Sequence, residues 1–312
     1  MKGLKIYRYK ELQPGTFRKP IVTIGIFDGV HRGHLSLLNE LKKIAAREES
    51  ESVVITMWPH PRMVLLPDKP IKLLTTLEEK LTLLEKNAID NVVLIDFNEQ
   101  FARIPAQDFI RNNLVGKLNL SYLVLGYDNH FGHNKEGRID VVKQEANQWG
   151  FRVVQLPPVF EGEEVISSTN IRVHLELGNI ETANELLGYS FFLKGKVVEG
   201  NRMGRTLNFP TANLQVEPYK MLPRIGVYAV WAYVDDSVYP GMMNIGFRPT
   251  LHPHLKEKTL EVHLINFDGN LYGKEITVTF VKRVRDEIKF PDITQLRQQL
   301  EEDRRVVLDI LA

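Results

Sequence analysis

The chain has 312 residues, of which 43% are hydrophobic and 25% charged, and 40 basic against 39 acidic residues leave a formal net charge of +1. That length favours two domains with sizeable cores, and the balanced charge argues against nucleic acid or another polyanion as partner. There is no cysteine, which excludes disulfides, thiolate catalysis and thiolate zinc sites and fits a reducing cytoplasm; no apolar h-region opens the chain and no 18-residue apolar run follows, so neither secretion nor a membrane span is expected.

The first half alternates apolar, β-rich runs with helical patterns. Strands are predicted at 21–27, 52–58, 91–97, 122–126 and 152–157. Helices are predicted over 34–48, over about 105–115 with Pro105 in the first turn, and over 138–149 with a stop at Gly150. Thr76 and Glu79 form a capping-box pair, and Leu77, Leu81, Leu84 and Ala88 then mark one helical face. This alternation predicts a doubly wound α/β domain on a parallel sheet, with its ligand crevice at the carboxyl ends of the strands.

A helical join over 170–188 follows, and beyond it the pattern changes. Strand-like runs at 191–200, 226–234, 237–246, 259–267 and 274–286 are separated by turns, with "VDDSV" and "FDGNLYG" read as hairpin connections. A last helix starts near Asp292, with Gln295 as its capping partner and Leu296, Leu300 and Val307 on one face. This half reads as a β-barrel with a closing helix. The expected domains are residues 1–186 and 187–312. The oligomeric state is left open, with an oligomer among the possibilities.

Chemistry concentrates in two places. In "GIFDGVHRGH" (25–34), Gly25, Gly29 and Gly33 allow a sharp strand-to-helix turn and close approach of a ligand. The helix that follows offers free N–H groups and a positive dipole to a phosphate. His31 and His34, three apart, project from one side of its start and can donate to phosphate oxygens. A zinc site built from His31, His34, His60, His130 and His133 is the competing reading.

In the second half, "GNRMGRT" fails as a Walker A loop, with three residues rather than four between its glycines. "FPTANL" (209–214) is more informative: Thr211 and Asn213 are hard oxygen ligands two apart, pointing the same way from an extended segment, and suit Mg²⁺ bound with nucleotide phosphates. Glu261 alternates with its neighbours so that it shares a side with His263 and Ile265, which permits a cavity-facing carboxylate without requiring one.

These motifs resemble a known family. "GIFDGVHRGH" resembles the HxGH signature of nucleotidylyltransferases. Together with "WPHP" (58–61), "VLGYDNHFG" (124–132) and "ISSTNIR" (166–172), it is similar to the FMN adenylyltransferase module of bacterial bifunctional riboflavin kinase/FAD synthetases. "GRTLNFPTAN" (204–213) resembles the riboflavin kinase signature, and the likeness extends through "GVYAV", "MNIGFRPT", "LEVHLINF" and "VKRVRDEIKF". The resemblance implies two reactions: ATP phosphorylates riboflavin to FMN, and a second ATP adenylylates FMN to FAD with release of pyrophosphate, both with Mg²⁺. It implies ATP contacts in the first module from Gly25, Phe27, Asp28, Gly29, His31, His34, Ser167, Ser168, Thr169 and Arg172, with His60 and Asp128 near flavin or nucleotide. In the second module it implies ATP contacts from Gly200, Gly204, Arg205, Pro210, Thr211 and Asn213, flavin contacts from Arg285, Glu287 and Phe290, and Glu261 as catalytic base. Asn129 and Asn208 stand where the family usually has Phe and Gly.

Overall fold

The computed structural model describes residues 3–129, 132, 137–200, 209–247 and 258–312, and the chain divides into two compact units, Met1–Ser168 and Thr169–Ala312. Of the site expectations, Gly204 and Arg205 lie outside the described residues, as do Asn208, His130 and His133.

In the first unit, β1 (Lys5–Arg8), β2 (Ile21–Ile24), β3 (Ser52–Trp58), β4 (Asn91–Asp96), β5 (Tyr122–Leu125) and β6 (Arg152–Gln155) form one sheet in the order β1-β4-β3-β2-β5-β6. Every pair is parallel. Five of these strands are the five predicted; β1 is additional, an edge strand whose sequence, KIYR, is mostly exposed and carries no apolar run. The strand order reverses at β2, which has β3 on one side and β5 on the other. Loops leaving the carboxyl ends of β2 and β5 therefore run apart, and the crevice between them is where ligands bind in such sheets.

The sheet buries both faces, which is why its strands read as continuous apolar runs. Val22, Ile24, Val53, Ile55, Val93, Ile95, Leu123 and Leu125 share one core, and the alternate residues Ile21, Val54, Val92 and Val124 are equally buried. The helical segments are α1 (Arg32–Arg47), α2 (Pro61–Leu65), α3 (Leu77–Lys86), α4 (Glu99–Ala102), α5 (Ala106–Asp108) and α6 (Ile139–Trp149). The helix expected over 105–115 is a single turn, α5, continued by a π-helix over Phe109–Lys117, with Pro105 just ahead of it as the capping residue. α6 stops at Gly150 in the left-handed conformation, φ 74°. α3 has its capping box: Glu79 N donates to Thr76 Oγ1 at 3.2 Å and Thr76 N to Glu79 Oε2 at 2.8 Å. Its buried residues, however, are Glu79, Lys80, Leu83 and Leu84, so the inward face is turned from the predicted one and includes a lysine.

The second unit continues α7 (Ser168–Leu177) and adds α8 (Ile180–Leu187), which ends at left-handed Gly188. Ahead of them a small hairpin pairs β7 (Phe160–Glu161) with β8 (Glu164–Val165) in the first unit. Strands β9 (Phe192–Val198), β10 (Ala212–Gln215), β11 (Gly226–Val234), β12 (Ser237–Phe247), β13 (Lys258–Leu264) and β14 (Glu275–Arg285) form a closed barrel in the order β10-β13-β12-β11-β14-β9. The segment singled out as ligand-bearing is itself the closing strand: β10 pairs with β13 on one side and β9 on the other. Val234 opposes Ser237 across the two-residue turn of the expected β11–β12 hairpin. "FDGNLYG" is not a hairpin connection, because β13 and β14 are not neighbours. An Asp-Gly turn signal is local and does not tell which strand the chain returns to.

One parity of the barrel strands, including Tyr228, Val230, Met243, Ile245, Val262 and Phe280, is buried inside. The other parity contributes Ala229, Met242 and Ile265 to a cluster with Phe209 and Val307. Val307 belongs to α9 (Ile293–Leu311), and Leu296 and Leu300 pack against the same cluster. Asp292 caps α9 by accepting from Thr294 N and Gln295 N at 2.9 Å each.

Candidate active sites

In the first unit, α1 begins with His31 as its capping residue, whose Nδ1 accepts from His34 N at 3.4 Å. With Nδ1 accepting, the proton of a singly protonated His31 ring sits on Nε2. The two imidazoles are stacked, centroids 3.7 Å apart at 19°, and the His34 ring meets the Phe27 ring edge-on at 5.1 Å. His34 is held well below the ordinary imidazole value of 6.5, first by burial and then by the neighbouring His31 and Lys80. It is a neutral ring, and its Nδ1 has no hydrogen-bond partner among the described residues.

The turn that brings these rings into place is bent through left-handed backbone at Phe27 (φ 53°), Gly29 (φ 84°) and Val30 (φ 38°). For a β-branched residue such as Val30 that conformation is strained, and strain persists only where surroundings impose it. They do so here. The buried Asp28 carboxylate accepts from Leu74 N at 3.2 Å and Thr75 N at 3.1 Å, while Gly29 N donates to Thr75 Oγ1 at 3.1 Å. Ser168 Oγ donates to Asp28 O at 2.8 Å, which brings one of the two predicted serines to this turn. A Cβ on Gly33 would sit 3.1 Å from the His31 ring and from Ile166 O, so the third glycine makes room for the imidazole.

Beside this turn lies a cavity of about 740 Å³, lined by Ile24, Gly25, Met57, Val64, Phe97, Phe101, Phe109 and Asn129 among others. It opens at the carboxyl ends of β2, β3 and β4. The Asn129 amide donates to the Ile24 carbonyl, so the loop after β5 is tied to the end of β2 across the reversal in strand order. His60 caps α2, accepting from Arg62 N at 3.0 Å, and α2 supplies Pro61, Val64 and Leu65 to the lining. Asp128 precedes Asn129 in the same loop. The lining residues from β3 and from the 97–109 stretch were not anticipated, because scattered apolar residues carry no signal that separates a pocket wall from core. Thr169 and Arg172, on the first turns of α7, fall in the second unit.

In the second unit a cavity of about 780 Å³ is lined by Asn213, Asn244, Glu261, His263 and Arg285 on the strands, by Thr211 just ahead of β10, by Glu287 and Phe290 after β14, and by Leu296, Leu300 and Asp303 of α9. Glu261 is directly opposite Asn213 on β10 and opposite Asn244 on β12, so three strands place three polar side chains in a row. Asn244 was missed by the sequence reading, and only the strand register reveals it. Thr211 Oγ1 donates to Glu261 Oε2 at 3.3 Å. His263 lies against the Pro210 carbonyl, Nδ1 to O 2.8 Å, and against the Phe209 ring at 5.1 Å. Burial pushes His263 below 6.5, so the neutral ring donates from Nδ1. Gly200 packs on Asn213 so closely that a Cβ would run into the amide. Arg285 makes a two-pronged bond to the buried Asp303, Nε–Oδ1 2.8 Å and Nη2–Oδ2 2.6 Å, and Gln299 Nε2 adds a third donor at 2.9 Å. Of the residues expected near flavin, Arg285 is thereby anchored to α9.

Two family models match the chain: FAD synthetase over residues 14–170 and riboflavin kinase over residues 187–311. The chain belongs to the bifunctional riboflavin kinase/FMN adenylyltransferase family. The relative of that name from Buchnera aphidicola subsp. Acyrthosiphon pisum is 35% identical over 303 residues, covering 97% of this chain and 95% of the relative. Those from Bacillus subtilis and Escherichia coli K12 are each 37% identical, over 92% and 91% of this chain and 91% and 90% of theirs. A solved chain described as a macrolide-efflux protein from Streptococcus pneumoniae is 30% identical with a TM-score of 0.87, covering 97% of this chain and 98% of that one. As a bifunctional riboflavin kinase/FMN adenylyltransferase, the protein phosphorylates riboflavin to FMN and adenylylates FMN to FAD and pyrophosphate. Among the described residues no helix is long and apolar enough to cross a membrane, and no group of three or more His, Asp or Glu side chains is placed to hold a metal ion.

Proposed function

We propose that the two reactions are divided between the two cavities, adenylylation beside the His31–His34 turn and phosphorylation beside Glu261, with domain limits at 1–186 and 187–312. The observation that carries the reading is that each motif set gathers around its own cavity, Gly25 and Asn129 lining one and Thr211, Asn213 and Glu261 lining the other.

In the first unit the isoalloxazine of FMN takes the apolar cavity, flanked by the His60 and Asp128 loops. Its phosphate then faces the turn at Gly25–His31. A phosphate oxygen of FMN forms a bond to the α-phosphorus of ATP as the bond from that phosphorus to the bridging oxygen breaks, and pyrophosphate leaves. His31 and neutral His34 donate N–H to the phosphate oxygens as charge builds on them, alongside the positive end of the α1 dipole. Gly25, Phe27, Asp28 and Gly29 shape the turn, and Ser168 fastens it. The contacts of Ser167, Thr169 and Arg172 with ATP are part of the same proposal.

In the second unit Glu261 accepts the proton of the riboflavin 5′-hydroxyl as that oxygen attacks the γ-phosphorus, and ADP leaves. The flavin ring lies toward Arg285, Glu287 and Phe290, and the ATP phosphates toward Gly200, Gly204, Arg205, Pro210, Thr211 and Asn213. The donor set fits Mg²⁺: two hard oxygens, Thr211 Oγ1 and Asn213 Oδ1, on one cavity wall leave the remaining positions to phosphate and water. Bound there, the ion would neutralise charge on the phosphates. Only small-molecule partners are proposed, and the cysteine-free composition supports a cytoplasmic location.

The test is a time course with riboflavin, ATP and Mg²⁺, resolving riboflavin, FMN and FAD by chromatography, repeated with FMN as the starting flavin, with EDTA and with Glu261→Ala. Sequential appearance of FMN and FAD, both abolished by EDTA, is expected. FAD formed from riboflavin without any dependence on Glu261, or either step running in EDTA, would sink the assignment.

A further inference from the structure

We propose that Lys80 is a positioning residue for FMN adenylylation: its ammonium, buried in the first unit, holds the Ile26 carbonyl and so fixes the turn that presents His31 and His34. The proposal rests on the reading of those two histidines given above.

A lysine is almost never fully buried without a strong reason, yet Lys80 is only 2% exposed. Its Nζ donates to Ile26 O at 2.9 Å and to Thr56 Oγ1 at 3.3 Å, and Thr56 Oγ1 itself donates to Ile26 O at 3.1 Å. The Trp58 ring lies 5.9 Å from the ammonium. Two donors therefore converge on the carbonyl of the residue immediately before Phe27, where the backbone first turns left-handed. The segment leading to Lys80 supplies the remaining restraints: the 74 and 75 amides hold the Asp28 carboxylate, and Thr75 Oγ1 accepts from Gly29 N. Residues 74–80 thus form one brace on residues 26, 28 and 29, and Lys80 is its cation.

The charge does something an uncharged donor would not. Lys80 faces Asp28 on the turn, His34 on α1, and Thr56 and Trp58 on β3. Asp28 favours the ammonium, and the ammonium in turn helps to keep His34 neutral. Burial lowers the lysine to about 8, so its charge is present at neutral pH and is lost as pH rises through that value.

The experiment uses the full-length enzyme and measures FMN-to-FAD kinetics for wild type, Lys80→Met, Thr56→Val and His31→Ala, with circular dichroism and the thermal midpoint as the folding control and riboflavin-to-FMN turnover as the control for the second unit. Lys80→Met is expected to lower kcat for FAD formation roughly 10- to 100-fold, as a small misplacement of donors does, with KM for FMN and ATP changed less than about threefold. FMN formation stays at wild-type level. Wild-type kcat falls above pH 8, and Lys80→Met lacks that fall. A folded Lys80→Met enzyme with wild-type kcat, or one whose loss is entirely in KM, overturns the proposal. Should Lys80→Met fail to fold, Thr56→Val carries the test: a several-fold loss in kcat at constant KM supports it, and wild-type kcat overturns it. If His31→Ala leaves FAD formation intact, the histidine reading itself has failed; if His31→Ala impairs it and Lys80→Met does not, only the brace has.

Discussion

The Thr211 hydroxyl donates to the Glu261 carboxylate across 3.3 Å, from a residue just ahead of β10 to the middle of its partner strand β13. The proposed metal-side ligand and the proposed base are therefore neighbours in one wall. Glu261→Gln keeps the shape and removes the acceptor for the hydroxyl proton. It should lower FMN formation by about 10²-fold or more and leave FAD formation from supplied FMN unchanged, as measured by the two separate assays.

The opposite split is expected for His31→Ala and His34→Ala. Loss of a donor aimed at developing phosphate charge costs roughly 10²-fold or more in turnover. FAD formation should fall by that factor while FMN formation continues. Equal loss in both assays would show that the modules are misassigned.

Gly200→Ala places a methyl group against the Asn213 amide. The side chain must rotate away from the cavity wall, which removes one of the two oxygens proposed for the metal. The kinase reaction should need about tenfold more Mg²⁺ for half-maximal rate, equivalent to about 1.4 kcal/mol of metal affinity, while adenylylation keeps its Mg²⁺ dependence.

Arg285 and Asp303 form a buried, two-pronged ion pair, with Asp303 2% exposed. Asp303→Ala strands the guanidinium and should cost about 3 kcal/mol or more of stability, read as a lower midpoint in urea. Because the pair fastens Arg285 to α9, KM for riboflavin should rise in the fraction that remains folded.

Acid should weaken the fold through His34. Its folded value lies well below the 6.5 that applies once the chain unfolds, because burial, His31 and Lys80 all oppose a charge there. Between those two values the unfolded chain binds a proton that the folded ring refuses. Stability is then full above pH 6.5 and declines as pH falls below it. Thermal midpoints of the full chain from pH 7.5 to 5 should show that decline, and His34→Asn should flatten it.

The alternation of buried strands and capped helices was legible along the chain because both sheet faces are covered and apolar runs follow from that. Thr76 with Glu79, Gly150 and Asp292 marked helix ends correctly, since capping is local chemistry. The two motif sets were equally legible, because glycines, histidines and the Thr-x-Asn pair keep their spacing whatever the fold does around them. Other features depend on which strands become neighbours. The edge position of β1, the reversal at β2 that opens the crevice, and the closure of the barrel by the Thr211–Asn213 segment are matters of pairing between distant residues. So is the row of Asn213, Glu261 and Asn244, which exists only in the register of three strands. Lys80 shows the limit most sharply: on a helix it reads as a solvated side chain, and only the tertiary fold turns it inward onto Ile26, where hydrogen bonds, an aromatic face and Asp28 offset the cost of burying its charge.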